Sequence, residues 1–197
     1  TMVPIGKHRT KLSPARLIPW AKTAPTMEHS LSLRMEILLL PVVLIAIAVR
    51  LTSKGPVIFW SDRVGRHNTI FKMPKFRSMR MGTPAVATHQ LANPNEHLTP
   101  IGSFLRKSSL DELPQLWSIL IGVMSFVGPR PALFNQQDLI DLRTEQGVHT
   151  LVPGLTGWAQ VNYPYGESLE DSLIKLQYDL YYIKHRSVFL DLNITIK

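Results

Sequence analysis

The chain contains no cysteine, and only 14 of its 197 residues are acidic. The first absence excludes disulfides and thiolate-ligated zinc or iron–sulfur centres. The scarcity of acids is uneven. Residues 1–27 hold five Lys/Arg and no acid, and residues 50–80 hold eight Lys/Arg against Asp62 alone. From Asp138 onward acids outnumber bases, eight to five, so the net charge of +8 belongs to the first half. A basic half suits an anionic partner: a lipid surface, a nucleotide or nucleic acid. Nucleic acid finds no support, because no helical pattern carries a basic stripe with interleaved aromatics and no zinc, RRM or helix-turn-helix pattern is present. The histidines lack paired metal-ligand spacing, and there is no G-x-G-x-x-G and no P-loop. A hydrophobic fraction of 45% excludes wholesale disorder, and the length suits one domain with a small appendage.

No secretory signal is expected, since the first apolar run starts only at Ile37. Residues 1–30, with four prolines, read as an irregular basic leader. The uncharged run Ile37–Val49 rises roughly 20 Å as a helix, short of the ~30 Å hydrocarbon core. It is apolar on every face, which fits a buried core helix or a segment that dips into one leaflet and returns. Pro41 lies inside it and favours a break. The expected division is a leader over 1–30, a re-entrant helix over 31–52 and a catalytic domain over 53–197.

Gly55–Trp60 predicts a strand, Asp62–Asn68 a polar loop and Ile70–Met73 a returning strand. Residues 83–99 form a long connector. Leu113, Leu116, Trp117 and Leu120 predict one helical face, and Asn135–Gln146 a helix stopped by Gly147. Residues 152–165 predict a loop with a short extended piece. Leu169, Leu173, Leu176, Leu180 and Ile183 form a helical stripe with Ser168 as N-cap. The tail Val188–Ile196 is apolar enough to pack on the domain or lie in a membrane interface.

Asp111 and Glu112 are the only acids between Glu96 and Asp138. Cations precede them at Arg106 and Lys107 and follow at Arg130. Paired carboxylates set among cations mark a place where a phosphate and a metal ion can meet. Two plainer readings stand beside this one. Ser109 and Glu112 fit a capping box, and a helix starting near Glu112 would leave Asp111 as its cap. Lys75 and Arg77, if extended, share one side and could grip a diphosphate, or could belong to an ordinary solvated strand. Arg130 stands on a backbone stiffened by Pro129 and Pro131, suited to a bidentate phosphate contact or to a tight turn.

Seven segments in order resemble the bacterial sugar transferase family of monotopic polyprenyl-phosphate phosphoglycosyl transferases. They are Leu51–Phe59, Asp62–Arg66, Lys75–Met79, Leu105–Gln115, Met124–Pro131, Pro153–Asn162 and Tyr178–Tyr182. The resemblance implies an α+β, helix-rich fold with a small antiparallel sheet and a re-entrant membrane helix broken at Pro41. It implies transfer of a sugar 1-phosphate from a UDP-sugar to polyprenyl (undecaprenyl) phosphate with release of UMP. Asp111 is then the nucleophile of a covalent aspartyl phosphosugar intermediate, Glu112 completes the dyad, and Mg2+ sits at Asp111. Lys75, Arg77, Arg106 and Arg130 match cations for the diphosphate. Gln160, Asn162 and Asp179 match positions that shape the nucleotide or sugar pocket. The implied partners are the donor, the lipid acceptor and membrane lipids, at the cytoplasmic face of a bacterial inner membrane. Homo-oligomerisation is left open.

The chain departs from the family pattern in places. Leu40 precedes Pro41 where Ser often stands, Ile121-Gly122-Val123 replaces a Lys-Gly-Asp type sequence, and Tyr163-Pro164-Tyr165 follows Asn162. These departures motivate the alternative of an inactive homologue serving as a membrane-associated assembly partner.

Overall fold

The computed structural model describes residues 27–84, 86, 91, 93–164 and 169–197, without the side chains of 27–38 and Leu169. The chain divides into two units, 1–41 and 42–197. Of the first, only the helical stretch from Met27 to Pro41 is described. Most of the expected leader and the Ser168 cap lie outside the described residues.

Helix α1 runs Met27–Thr52 with Pro41 inside it, so the helix begins four residues earlier than the expected 31–52. The hairpin follows as β1 (Ile58–Val64) and β2 (Ile70–Phe76), paired antiparallel with Val64 opposite Ile70 and Ile58 opposite Phe76. Its strands run further than expected, leaving a loop of only Gly65–Thr69. Next come α2 (Gly102–Lys107), a 3-10 turn over Leu110–Glu112, and α3 (Gln115–Leu120). After them β3 (Ser125–Val127) pairs in parallel with β4 (Gly154–Thr156), across an excursion that contains α4 (Gln137–Glu145). Helices α5 (Trp158–Asn162), α6 (Leu169–His185) and α7 (Val188–Ile196) complete the chain.

The expected α+β, helix-rich class with a small antiparallel sheet is present. The parallel pair β3–β4 and the helix α5 are additions. The pair needs close backbone approach: a Cβ on Gly154 would stand 2.2 Å from the Gly128 nitrogen. Gly147 ends α4 as expected, in the left-handed region at φ 79°.

Two cores hold residues 42–197 together. In the first, Val49, Phe76 and Leu105 are buried, and Val42, Ile45 and Ala46 of α1 pack against them with Leu110 and Leu113. Positions 42, 45, 46 and 49 make one helical stripe. Part of the run that was apolar on every side therefore covers the base of the 3-10 turn. Its opposite face stays uncovered, with Val43, Leu44, Ile47 and Leu51 exposed. The second core joins Val127 of β3 to Tyr182 of α6 and Ile194 of α7.

Candidate active site

The 3-10 turn carries both acids and packs against β2. Ser109, just before it, adopts φ 56°, a left-handed conformation that costs a non-glycine residue about 1 kcal/mol. No side chain caps the turn, and α3 begins only at Gln115 with Pro114 at its N-cap. Both capping readings therefore give way. Pro114 lies where a helix tolerates a missing N–H, and Glu112 is free for other partners.

Those partners are cations. Lys75 Nζ donates to Glu112 Oε1 at 2.8 Å, and an Arg130 Nη donates to the same oxygen at 2.6 Å. A second Arg130 nitrogen reaches Glu112 Oε2 at 3.5 Å, which makes the contact forked. Burial disfavours the Glu112 anion, but Arg130 and Lys75 outweigh it and lower its pKa to about 2. Lys75 is held below its ordinary range, first by burial and then by Arg130, against the pull of Glu112. Asp111 differs. It is buried at 7% exposure, and desolvation pushes its carboxyl above the ordinary range despite the nearby charges of Lys75 and Arg106. The neighbouring negative charge of Glu112 pushes in the same direction.

Lys75, Arg106, Asp111, Glu112 and Arg130 therefore form one electrostatic cluster. Arg77 leaves it. The strand ends at Phe76, and the buried Arg77 guanidinium turns to the end of α1, donating to Ser53 O at 2.9 Å, Lys54 O at 2.6 Å and Ser53 Oγ at 2.7 Å. Gly55 makes room for it, since a Cβ there would stand 2.1 Å from an Arg77 nitrogen. Asp179 is buried on α6, where an Arg143 nitrogen reaches Oδ2 at 2.7 Å and burial still pushes the carboxyl up. Gln160 donates to Leu155 O at 3.3 Å, while Asn162 donates to Trp158 O and accepts from Lys197.

Arg143 was missed by sequence reading, because it stands alone on a helix outside every quoted segment. Gln115 is a second omission. It lies within a quoted segment, and the structure buries it with Nε2 lacking a partner. A buried donor of this kind is the signal that a folded structure adds.

Three residues of the expected helical face lie together on α3, which turns that face to the outside. Leu116, Trp117 and Leu120 look outward, Leu120 at 77% exposure, while Gln115 and Ser118 are the buried positions. A cavity of about 470 Å³ lies by β3, lined by Arg66, Tyr182, Arg186 and neighbours, and Asp111 does not line it. A smaller one of about 30 Å³ sits against Arg130 and Arg143, again without Asp111. The charged cluster, rather than the larger cavity, is therefore the candidate site.

Among the described residues no group of three or more His, Cys, Asp or Glu could enclose a metal. That pattern still fits Mg2+, which binds through one or two carboxylates plus substrate phosphates and water. Asp111 offers a carboxylate whose burial a cation would offset, whereas Glu112 is already engaged by Lys75 and Arg130.

The bacterial sugar transferase profile matches residues 21–197. The chain belongs to the bacterial sugar transferase family. Within this family it is 46% identical over 159 residues to a Xanthomonas campestris UDP-glucose:undecaprenyl-phosphate glucose-1-phosphate transferase, covering 77% of this chain and 32% of that protein. It is 42% identical over 154 residues to the Escherichia coli protein of the same name, covering 76% and 33%. A Bacillus subtilis uncharacterized sugar transferase shares 41% identity over 157 residues, covering 78% of this chain and 73% of that family member. The chain spans about a third of the length of the first two relatives.

Proposed function

We propose that this family member transfers a sugar 1-phosphate from a UDP-sugar to a polyprenyl phosphate at a membrane surface. The observation that carries this reading is the split between the two acids: Glu112 is neutralised by Lys75 and Arg130, while Asp111 beside it is buried and raised. A desolvated carboxylate next to fixed cations is primed to attack an electrophilic phosphorus. The relatives named for undecaprenyl-phosphate sugar-phosphate transfer support the choice of substrates.

In this mechanism an Asp111 carboxylate oxygen attacks the sugar-bearing phosphorus of the donor. The bond to the bridging oxygen breaks and UMP departs with that oxygen. An aspartyl phosphosugar remains. A phosphate oxygen of the polyprenyl acceptor then attacks the same phosphorus and expels the Asp111 carboxylate. Lys75, Arg106 and Arg130 meet the diphosphate and the charge developing on UMP, and Glu112 holds Lys75 and Arg130 in place for it. Gln160 and Asn162, both on α5, are assigned to the rim that meets the nucleotide or sugar. Mg2+, held by Asp111, would screen the carboxylate and diphosphate from each other.

In this reading the lipid acceptor calls for a bilayer, the inner membrane of a bacterium, and the UDP-sugar donor for its cytoplasmic face. No helix among the described residues is long and apolar enough to cross it. Uncovered apolar side chains on α1 (Val43, Leu44, Ile47), α3 (Trp117, Leu120) and α7 (Val188, Phe189, Ile196) support a shallow attachment. Anionic lipid would add roughly 1 kcal/mol for each nearby cation.

The test is mass spectrometry of the chain incubated with UDP-sugars and Mg2+ but no acceptor. A phosphosugar adduct on Asp111, chased away by undecaprenyl phosphate, is expected. Full UMP release by Asp111→Asn would overturn the reading.

A further inference from the structure

Arg130 is itself held with unusual completeness. Four consecutive carbonyls, Pro129 to Ala132, each accept a hydrogen bond from a different donor. Gly154 N donates to Pro129 O at 2.9 Å and Val64 N to Ala132 O at 3.0 Å. Arg143 donates to Arg130 O at 2.8 Å and Arg63 to Pro131 O at 3.2 Å. Prolines at 129 and 131 offer no N–H, so their peptide units can be tied only through acceptors. The donor at Arg130 itself is the one that leads onward. One Nη of Arg143 takes Arg130 O, and the other takes Asp179 Oδ2 at 2.7 Å. The Arg143 and Asp179 side chains are only 14% and 6% exposed.

We propose that Arg143 is a positioning residue, locked by Asp179, which sets the Arg130 backbone so that the guanidinium meets Glu112. The proposal rests on the transferase reading above and extends it. Asp179 then acts through Arg143, and its contact with substrate is not required. Stability alone is a poor explanation for this pair. Buried ion pairs are often no better for stability than apolar packing, whereas a rigid two-pronged fork between two acceptors defines orientation. The three helices and loops concerned converge on one point: α4 supplies Arg143, α6 supplies Asp179, and the loop after β3 supplies Arg130. Lysine at 143 would keep the charge beside Asp179 but lose the fork, which makes it the informative substitution.

The experiment is a double-mutant cycle on the full chain with Arg143→Lys and Arg130→Lys, read as UMP release against donor concentration. Arg143→Lys should lower kcat/KM about tenfold, mainly through donor KM, and cost about twofold or less once Arg130 is already Lys. Asp179→Asn should reproduce the KM effect of Arg143→Lys. Equal losses in both backgrounds, or a normal KM with only a lower melting temperature, would overturn the proposal. Crystal structures of wild type and Arg143→Lys supply a readout that needs no turnover. The Arg130–Glu112 contact should lengthen or break in the variant, and an unchanged contact would overturn the proposal. A wild-type chain that releases no UMP from any UDP-sugar would sink the transferase reading, and the crystal comparison would still decide the role of Arg143.

Discussion

Asp111 and Glu112 are adjacent in one 3-10 turn, yet their surroundings move their acidities in opposite directions. Glu112 is met by Lys75 at 2.8 Å and Arg130 at 2.6 Å, and its pKa falls to about 2. Asp111, at 7% exposure, is governed by desolvation and moves up. Two identical functional groups one residue apart are thereby set apart: one is paired with two cations, the other is governed by burial.

The first prediction concerns Asp111 and stability. Its folded pKa lies above its unfolded value, so the ionised form lowers stability at neutral pH; the penalty starts to shrink as pH falls through the folded pKa and is gone below the unfolded one. Asp111→Asn should raise the melting temperature at pH 7 by about 2–4 °C for each kcal/mol relieved. It should also cut UMP release by roughly a thousandfold or more. Calorimetry at pH 7 and at lower pH checks the first part, where the gain should shrink on acidification. A less stable variant would contradict the burial argument.

Glu112→Gln should behave in the opposite way. A depressed pKa contributes stability that is present above the unfolded value and lost as pH falls toward about 2. The amide leaves Lys75 and Arg130 close together without their anion. At pH 7 the loss should be about 2–3 kcal/mol, a fall of about 5–10 °C in melting temperature. Urea unfolding of both variants would show the contrast in sign directly.

Metal binding can be read without catalysis. In protein stripped of divalent cations, carboxyl-13C NMR should show Asp111 titrating above an ordinary aspartate. Saturating Mg2+ should move that titration down, because a nearby cation favours the carboxylate. An Asp111 resonance indifferent to Mg2+ would remove the metal from this residue.

Arg77 separates binding from folding. Arg77→Met strands the carbonyls of Ser53 and Lys54, both now satisfied by one guanidinium, and removes the donor to the Ser53 hydroxyl, which keeps only its bond to Val49 O. A destabilisation of about 2–4 kcal/mol is expected, with donor KM unchanged in the folded fraction. A raised donor KM at constant melting temperature would return Arg77 to the diphosphate.

The outward face of α3 bears on membrane attachment. Replacing Trp117 and Leu120 together by Ser should weaken partitioning onto phosphatidylglycerol vesicles, read by flotation, by roughly a hundredfold or more, given ~1.5–3 kcal/mol for each fully buried large apolar side chain. Thermal stability should stay close to wild type, since both side chains are already exposed. Unaltered flotation would place attachment elsewhere on the chain.

Much of the site was legible in one dimension. The isolated acidic pair, the proline-flanked Arg130 and Lys75 on an extended segment all lie in short motifs, and all meet in the fold. The hairpin and α4 with its Gly147 stop were legible for the same reason, because turn chemistry and periodicity act over a few residues. Other features were not legible. Lys75 and Arg77 share a side only while the strand continues, and β2 ends between them. The apolar stripe of α3 was visible as a period, but a period does not say which way its face looks.

Local chemistry thus settled which side chains could take part: which positions carry charge, where the backbone turns, and that this domain has no thiol to use. What the folded arrangement added was their state and their direction. Asp111 is raised by burial, Glu112 is lowered by Lys75 on β2 and Arg130 beyond β3, and Arg143 gains its connection to Arg130 only when α4 and α6 close on the loop. Desolvation and Coulomb interactions act through space over a few ångströms, so they depend on which distant segments become neighbours, and no spacing along the chain encodes that.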